Sequence, residues 1–178
     1  MIEATPSGWF YSALLSLEPL TRVVVFHTLP THPSAKQARR REGFLDLLHT
    51  SSSHISTIIT ANNYEVAPGG FPRCTAAGSS YLDKPCHSED RWFAVGDAAM
   101  AFDPLSSQGI MTALEMGYYI GMVLAGVVQG DHEGDINFQV EGMYRRVREE
   151  YQQHRTYYYG LVERFHHESF WDMVNHIR

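Results

Sequence analysis

The stretch from Trp92 to Gly117 reads Trp-Phe-Ala-Val-Gly-Asp-Ala-Ala-Met-Ala-Phe-Asp-Pro-Leu-Ser-Ser-Gln-Gly-Ile-Met-Thr-Ala-Leu-Glu-Met-Gly, and it constrains the fold more than any other. Trp92 to Val95 is an apolar run of strand length ended by Gly96, which predicts a short buried strand. Asp97 then stands where a strand delivers its last side chain, the usual ligand position of an open α/β sheet. Pro104 fixes the loop that follows. Ser106, Ser107, Gln108 and Gly109 lead from it into Ile110 to Val128, an apolar segment of helical composition.

Unbonded N–H groups at a helix start attract an anion or an electron-rich carbonyl, and a glycine lets the ligand come close. A carboxylate just before the loop can accept hydrogen bonds from ligand hydroxyls. A flavin nucleotide needs both: an acceptor for its polyol, and a helix start for a ring that gains negative charge. The other reading of the same spacing is a buried strand–loop–helix unit in which Asp97 merely caps a turn.

Gly96-Asp97-Ala98-Ala99, with Pro104 seven residues after the Asp and Gly109 twelve after it, resembles the second flavin motif of the aromatic-hydroxylase-like FAD-dependent oxidoreductases. Phe102-Asp103-Pro104-Leu105-Ser106-Ser107-Gln108-Gly109-Ile110 is similar to a subgroup of them, the flavin-dependent halogenases and the monooxygenases that mature protein-derived quinone cofactors. Gly8-Trp9-Phe10-Tyr11-Ser12 resembles a strand of that subgroup's substrate-side sheet, and Phe170-Trp171 resembles its C-terminal ending. The resemblance implies FAD as cofactor. Asp97 would hold the ribityl chain, and the Gly109–Ile110 amides would face the pyrimidine edge of the ring. Gly96, Pro104, Ser107 and Gln108 complete the implied binding set, and Ser106 to Gly109 is where a halogenase would seat chloride. The implied reaction is oxygen transfer to an aromatic or other electron-rich small molecule, or to halide. No catalytic side chain is assigned.

The implied fold is α/β with α+β character. It is a partial FAD-binding three-layer fold with an antiparallel substrate-side sheet and long C-terminal helices, its N-terminal Rossmann βαβ unit missing. No Gly-x-Gly-x-x-Gly occurs anywhere in the 178 residues, so the chain has no site of its own for the pyrophosphate. Three regions are expected: a substrate-side sheet and helix region over 1–90, the flavin-motif strand, loop and helix over 91–130, and a helical tail over 131–178. Either the chain is the C-terminal part of an enzyme completed by a missing N-terminal half, or it has lost dinucleotide binding. The alternatives are a truncated non-redox binding or isomerising scaffold and one subunit of a split flavoprotein. In the split case, exposed apolar faces on Trp92–Val95 and the Gly8–Leu15 hairpin would form the interface. A flavin-reducing partner is a further candidate.

An apolar share of 44% with 12% aromatics predicts a globular core. A net charge of −6, with Arg39-Arg40-Arg41 and Arg145-Arg146-x-Arg148 read as solvated helix faces, disfavours nucleic acid. Ile110 to Val128 has bilayer-spanning length, but Thr112, Glu115, Gly117 and Gly121 favour a buried helix packed closely through its glycines. On that reading Gly117→Leu would overpack a core. No membrane association is expected, no signal peptide is visible, and a cytoplasmic protein is the expectation. Cys74 and Cys86 form no Cys-x-x-Cys, so a disulfide is open but unforced. Ten histidines include no His-Glu-x-x-His, and no metal site is expected. His166 and His167 would point to different faces of a helix.

Along the chain, Gly8–Leu15 and Arg22–Thr28 read as an antiparallel hairpin, with at least two of Trp9, Phe10 and Tyr11 in the sheet core. A neighbouring strand is expected upstream of the chain. Ala35 to His49 reads as a helix interrupted by Gly43, and His54 to Thr60 as a helix or a strand. Tyr64–Ala67 and much of Arg73–Leu82 read as strands, and Asp83–Asp90 as a loop. Gln129–Asp135 is a helix stop. Ile136 to about His167 reads as one long helix whose inner face holds Phe138, Met143, Tyr144, Val147 and Tyr151.

Overall fold

The computed structural model of the protein describes residues 1–70, 72–87, 92–130 and 135–176. Its strands are β1 (Ile2–Thr5), β2 (Gly8–Leu17), β3 (Leu20–His27), β4 (Ser80–Tyr81), β5 (Cys86–His87), β6 (Trp92–Phe93) and β7 (Met100–Ala101). Its α-helices are α1 (Pro33–Ala38), α2 (Arg41–Ser51), α3 (His54–Ala61), α4 (Gly109–Gln129), α5 (Ile136–Gly160) and α6 (Ser169–His176). The fold is mixed α/β, and every strand pairing among the described residues is antiparallel. The chain divides into two compact units, one of residues 1–75 with 159–178 and one of residues 76–158.

The first unit is built on the sheet β1-β2-β3. The expected hairpin forms with Trp9 opposite His27 and Phe10 opposite Phe26, and slips register between Leu14 and Ser16. The chain itself supplies a third strand to this sheet. Ile2–Thr5 pairs along the other edge of β2, Glu3 opposite Phe10, because those N–H and C=O groups need partners. Successive side chains of β2 face opposite sides, and at Trp9 and Phe10 both sides are covered. Phe10 is buried with Leu47, Leu48 and Ile55 of α2 and α3. On the other side Trp9 stacks on His27 at 4.7 Å, and its Nε1–H donates to the Tyr159 hydroxyl at 3.2 Å. Phe170 and Trp171 of α6 join that aromatic cluster, and the Trp171 Nε1–H donates to the Thr5 carbonyl at 2.7 Å. Trp9 and Phe10 are therefore core, while Tyr11 is exposed.

The expected helix over Ala35–His49 is two helices broken at Arg39–Arg40, upstream of Gly43. Gly43 is instead where they touch, since a Cβ there would lie 2.3 Å from the Gln37 carbonyl oxygen. His54–Ala61 is helical, which resolves the open alternative. Its first turn receives the buried carboxylate of Glu3, which accepts from the Ser53 N–H at 2.7 Å, the His54 N–H at 3.1 Å and the Ile55 N–H at 2.9 Å. Burial alone would raise the pKa of this carboxyl, but those donors together with the Ser53 hydroxyl hold it below its ordinary value. Tyr64–Ala67 forms no strand, although Tyr64 lies beside β3 with its ring 5.7 Å from the Arg22 guanidinium.

In the second unit the long strand expected within Arg73–Leu82 shrinks to β4, which pairs with β7. The loop expected over Asp83–Asp90 contains β5, paired with β6; residues 88–90 lie outside the described residues, as do 131–134 of the expected Gln129–Asp135 stop. Gly130 ends α4 in the left-handed region at φ 75°. Cys86, Ala99, Met100, Met116, Ile120, Val140, Met143 and Tyr144 form the core. Both cysteines are free thiols.

The long C-terminal helix ends at Gly160, and a 3-10 turn at Glu163–Phe165 separates it from α6. Its inner face holds Val140, Met143, Tyr144 and Tyr151, whereas Phe138 is 71% exposed. His166 and His167 lie past its end with their rings 3.6 Å apart, so they do not diverge as helix faces would.

Candidate functional site

The expected buried strand over Trp92–Val95 is only two residues long, and Trp92 and Val95 are each 40% exposed. Its one partner, β5, covers a single edge. The segment is held from the side instead, because the buried Tyr144 hydroxyl donates to the Ala94 carbonyl oxygen. Burial, then the neighbouring Cys86, pushes the Tyr144 phenol up to about 12, so it stays a neutral donor. Burial and then Glu141 raise the Cys86 thiol above its ordinary value.

After Val95 the chain turns through Gly96–Ala98 as a 3-10 helix. Gly96 has φ +56°, and a Cβ on it would meet the Cβ of Ala113 at 2.9 Å. Only glycine satisfies both the backbone angle and the approach to the first full turn of α4. This pins the Asp97 backbone to that turn. Asp97 is exposed, and its carboxylate has no hydrogen-bond or ion-pair partner among the described residues. It caps nothing there. The cap is the other aspartate: Asp103 is buried, and its Oδ1 accepts from the Leu105 N–H at 2.9 Å to start the 3-10 turn Pro104–Ser106. Pro104 occupies the first position of that turn.

Ser107 closes the turn in the left-handed region at φ 53°, its N–H donating to the Pro104 carbonyl at 3.2 Å. A non-glycine residue in that region stores strain that the surroundings must hold, and such positions cluster at ligand sites. Gln108 precedes α4 and provides no side-chain cap. The first backbone bond of the helix runs from the Thr112 N–H to the Gln108 carbonyl at 2.9 Å. The N–H groups of Gly109, Ile110 and Met111 therefore have no acceptor among the described residues. Open space surrounds Gly109, with no atom within 4 Å of where its Cβ would be, and Ile110 is 79% exposed.

The structure thus brings Gly96, Asp97, Gly109 and Ile110 to one end of α4 through the Gly96–Ala113 contact, with Pro104, Ser107 and Gln108 on the loop leading in. Two supports went unassigned in the sequence. The Tyr151 hydroxyl accepts from the Asp103 N–H at 3.1 Å, and the His154 Nδ1 lies 2.7 Å from the Gln108 Nε2. Their only signal was a three-residue spacing on one face of α5.

The packing expected of α4 is not found. Gly117 and Gly121 are exposed, and a Cβ on either would meet no neighbouring element within 4 Å. Only Met116, Ile120 and Val123 are buried, while Ile110, Met111, Leu114, Tyr118 and Met122 form an exposed apolar stripe. By length and composition alone this 21-residue helix is apolar enough to cross a membrane.

No family model and no solved structure matches the chain. Among curated proteins it is similar to "Putative FAD-dependent oxidoreductase LodB" of Marinomonas mediterranea, 34% identical over 175 residues, which are 96% of this chain and 42% of that protein. It is also similar to "FAD-dependent monooxygenase hkm7" of Aspergillus hancockii, 40% identical over 68 residues, 38% of this chain and 13% of that protein. The likeness is to FAD-dependent oxidoreductases. The chain spans less than half the length of the curated relatives it matches.

Proposed function

We propose that this chain is the flavin-ring side of an FAD-dependent oxidoreductase of the monooxygenase or halogenase kind, acting on an aromatic or other electron-rich small molecule. The observation that carries the reading is the contrast between two aspartates. Asp103 is consumed as a cap, whereas Asp97, which follows the Gly96 contact with α4, has no partner among the described residues. An acceptor beside three unbonded N–H groups, with open space at Gly109, fits a ligand with hydroxyls at one end and an electron-rich carbonyl edge at the other. FAD has both and, when bound, supplies the redox chemistry. Asp97 would accept from its ribityl hydroxyls, and the Gly109 and Ile110 N–H groups would donate to the ring's pyrimidine carbonyl edge. Those amides and the helix dipole would favour negative charge at that edge of the ring.

The adenine and pyrophosphate half has no Gly-rich cradle in this sequence. A dinucleotide-binding partner, in another segment or another chain, would supply it. The apolar stripe Ile110, Met111, Leu114, Tyr118 and Met122 supports such a partner, since an exposed surface of that kind marks an interaction site. On this reading the stripe meets protein and not lipid.

The test is the visible spectrum of the purified chain after incubation with FAD and desalting. A retained flavin band that Asp97→Ala reduces at least tenfold in occupancy is the expected result. A band that Asp97→Ala leaves untouched removes Asp97 from the site. A folded chain that retains no flavin shifts the reading to a subunit needing its dinucleotide-binding partner, or to a non-redox scaffold.

A further inference from the structure

From the way α5 meets the loop before α4, we infer that Tyr151 and His154 are positioning residues for the flavin edge. The inference rests on the flavin reading of the α4 start. Loop 102–108 decides where the unbonded amides of α4 stand, and its own hold on that position is weak. It comprises one short 3-10 turn, one left-handed serine and a Gln that caps nothing. Such a loop needs outside support, because the strain at Ser107 persists only where the surroundings over-determine it.

That support comes from one face of α5. At the loop's entrance the Phe102 ring packs on the Tyr151 ring at 4.7 Å, and the Asp103 N–H donates to the Tyr151 hydroxyl at 3.1 Å. Tyr151 is buried, so that bond is shielded from water. At the loop's exit the Gln108 side-chain amide meets the His154 Nδ1 at 2.7 Å. Residues three apart share a helix face, so a single rigid element holds both ends of the loop. The capped turn Asp103–Ser106 and the left-handed Ser107 are suspended between the two contacts. Losing either contact frees one end of the loop while the core of Cys86, Met100, Met116 and Met143 stays packed. Neither residue touches the flavin on this account. Each acts through the loop.

The experiment is hydrogen exchange on the full chain, read at the amides of Leu105, Ser107 and Thr112, whose N–H groups are bonded in the loop or at the helix start. FAD titration of the same samples runs alongside. Tyr151→Phe keeps the ring and removes the acceptor, leaving a buried N–H unpaired; exchange at these amides should rise about 5- to 100-fold. His154→Leu should raise it about 2- to 10-fold. Because His154 is exposed, that variant keeps its thermal midpoint and remains informative even where Tyr151→Phe folds poorly. His154→Asn, whose Oδ1 can stand where Nδ1 stood, should restore wild-type exchange. The Ile55 amide, held by Glu3 in the other unit, should not change in any variant.

Where the wild-type chain binds FAD, the affinity should fall by similar factors and recover in His154→Asn. Unchanged exchange at the three loop amides overturns the inference, and so does a rise shared equally by Ile55. FAD held as tightly by variants with loosened loops overturns the positioning role. Loosened loops in a chain that binds no FAD leave α5 as the brace and count only against flavin binding by this chain without a dinucleotide-binding partner.

Discussion

Replacing Glu3 by Gln tests how the first unit is joined, because the carboxylate ties β1 to the start of α3. Its Oε1 accepts from the Ser53 N–H, the Ser53 hydroxyl and the His54 N–H, and its Oε2 from the Ile55 N–H. Hydrogen bonds to a charged group are worth about 1.5–3 kcal/mol each, against about 0.5–1.5 for neutral ones. The amide also turns a donor toward at least one N–H that needs an acceptor. Offset by the lower cost of burying a neutral group, the net loss should be about 2–3 kcal/mol. For a chain of this size that lowers the thermal midpoint by roughly 5–10 °C.

The pH dependence has a fixed sign. Glu3 titrates below its ordinary value of 4.5 in the folded chain, so the unfolded state takes up its proton first as pH falls. The stabilisation is complete above 4.5 and is lost as pH drops through the folded pKa. Chemical denaturation of wild type and Glu3→Gln from neutral to acid pH measures this directly. The gap between the two should be constant near neutrality and close on the acid side. A gap under about 0.5 kcal/mol at neutral pH, or one that widens in acid, refutes the carboxylate cap.

Gly96→Ala should destabilise the second unit by about 2–4 kcal/mol, since it combines a left-handed φ with a Cβ against Ala113; an unchanged denaturation midpoint would refute the tight approach. Asp97→Ala should leave the midpoint within about 0.5 kcal/mol, because the carboxylate is exposed and bonds to none of the described residues, while FAD retention falls. Asp103→Ala is a poor control for it, as losing the Leu105 cap costs about 1 kcal/mol and moves the same loop. Gly117→Leu, expected from the sequence to overpack a core, should leave the chain folded and favour helix by up to about 1 kcal/mol, because its Cβ meets open space; unfolding would show that α4 is covered after all.

The local elements were legible where a side-chain pattern repeats over a whole element. The aromatic residues of β2, the β-branched residues of β3 and the short connection between them predict the hairpin, and the loop residues Ser106 to Gly109 predict where α4 begins. Where the pairing partner decides, the sequence is silent. Ile2–Thr5 carries no strand run, yet it pairs because β2 leaves an edge open, and Tyr64–Ala67 has strand composition but pairs with no strand among the described residues.

At the candidate site the sequence determined the residue types and their spacing: two aspartates, a proline and a glycine before an apolar helix. It could not decide which aspartate serves the fold. Both stand in turns of similar composition, and only packing turns Asp103 inward onto the Leu105 N–H while Asp97 stays outside. The same holds for α4, whose apolar composition reads as burial although its glycine face has no neighbour. Composition fixes what a surface can bury; only the neighbours that reach it decide what it does bury.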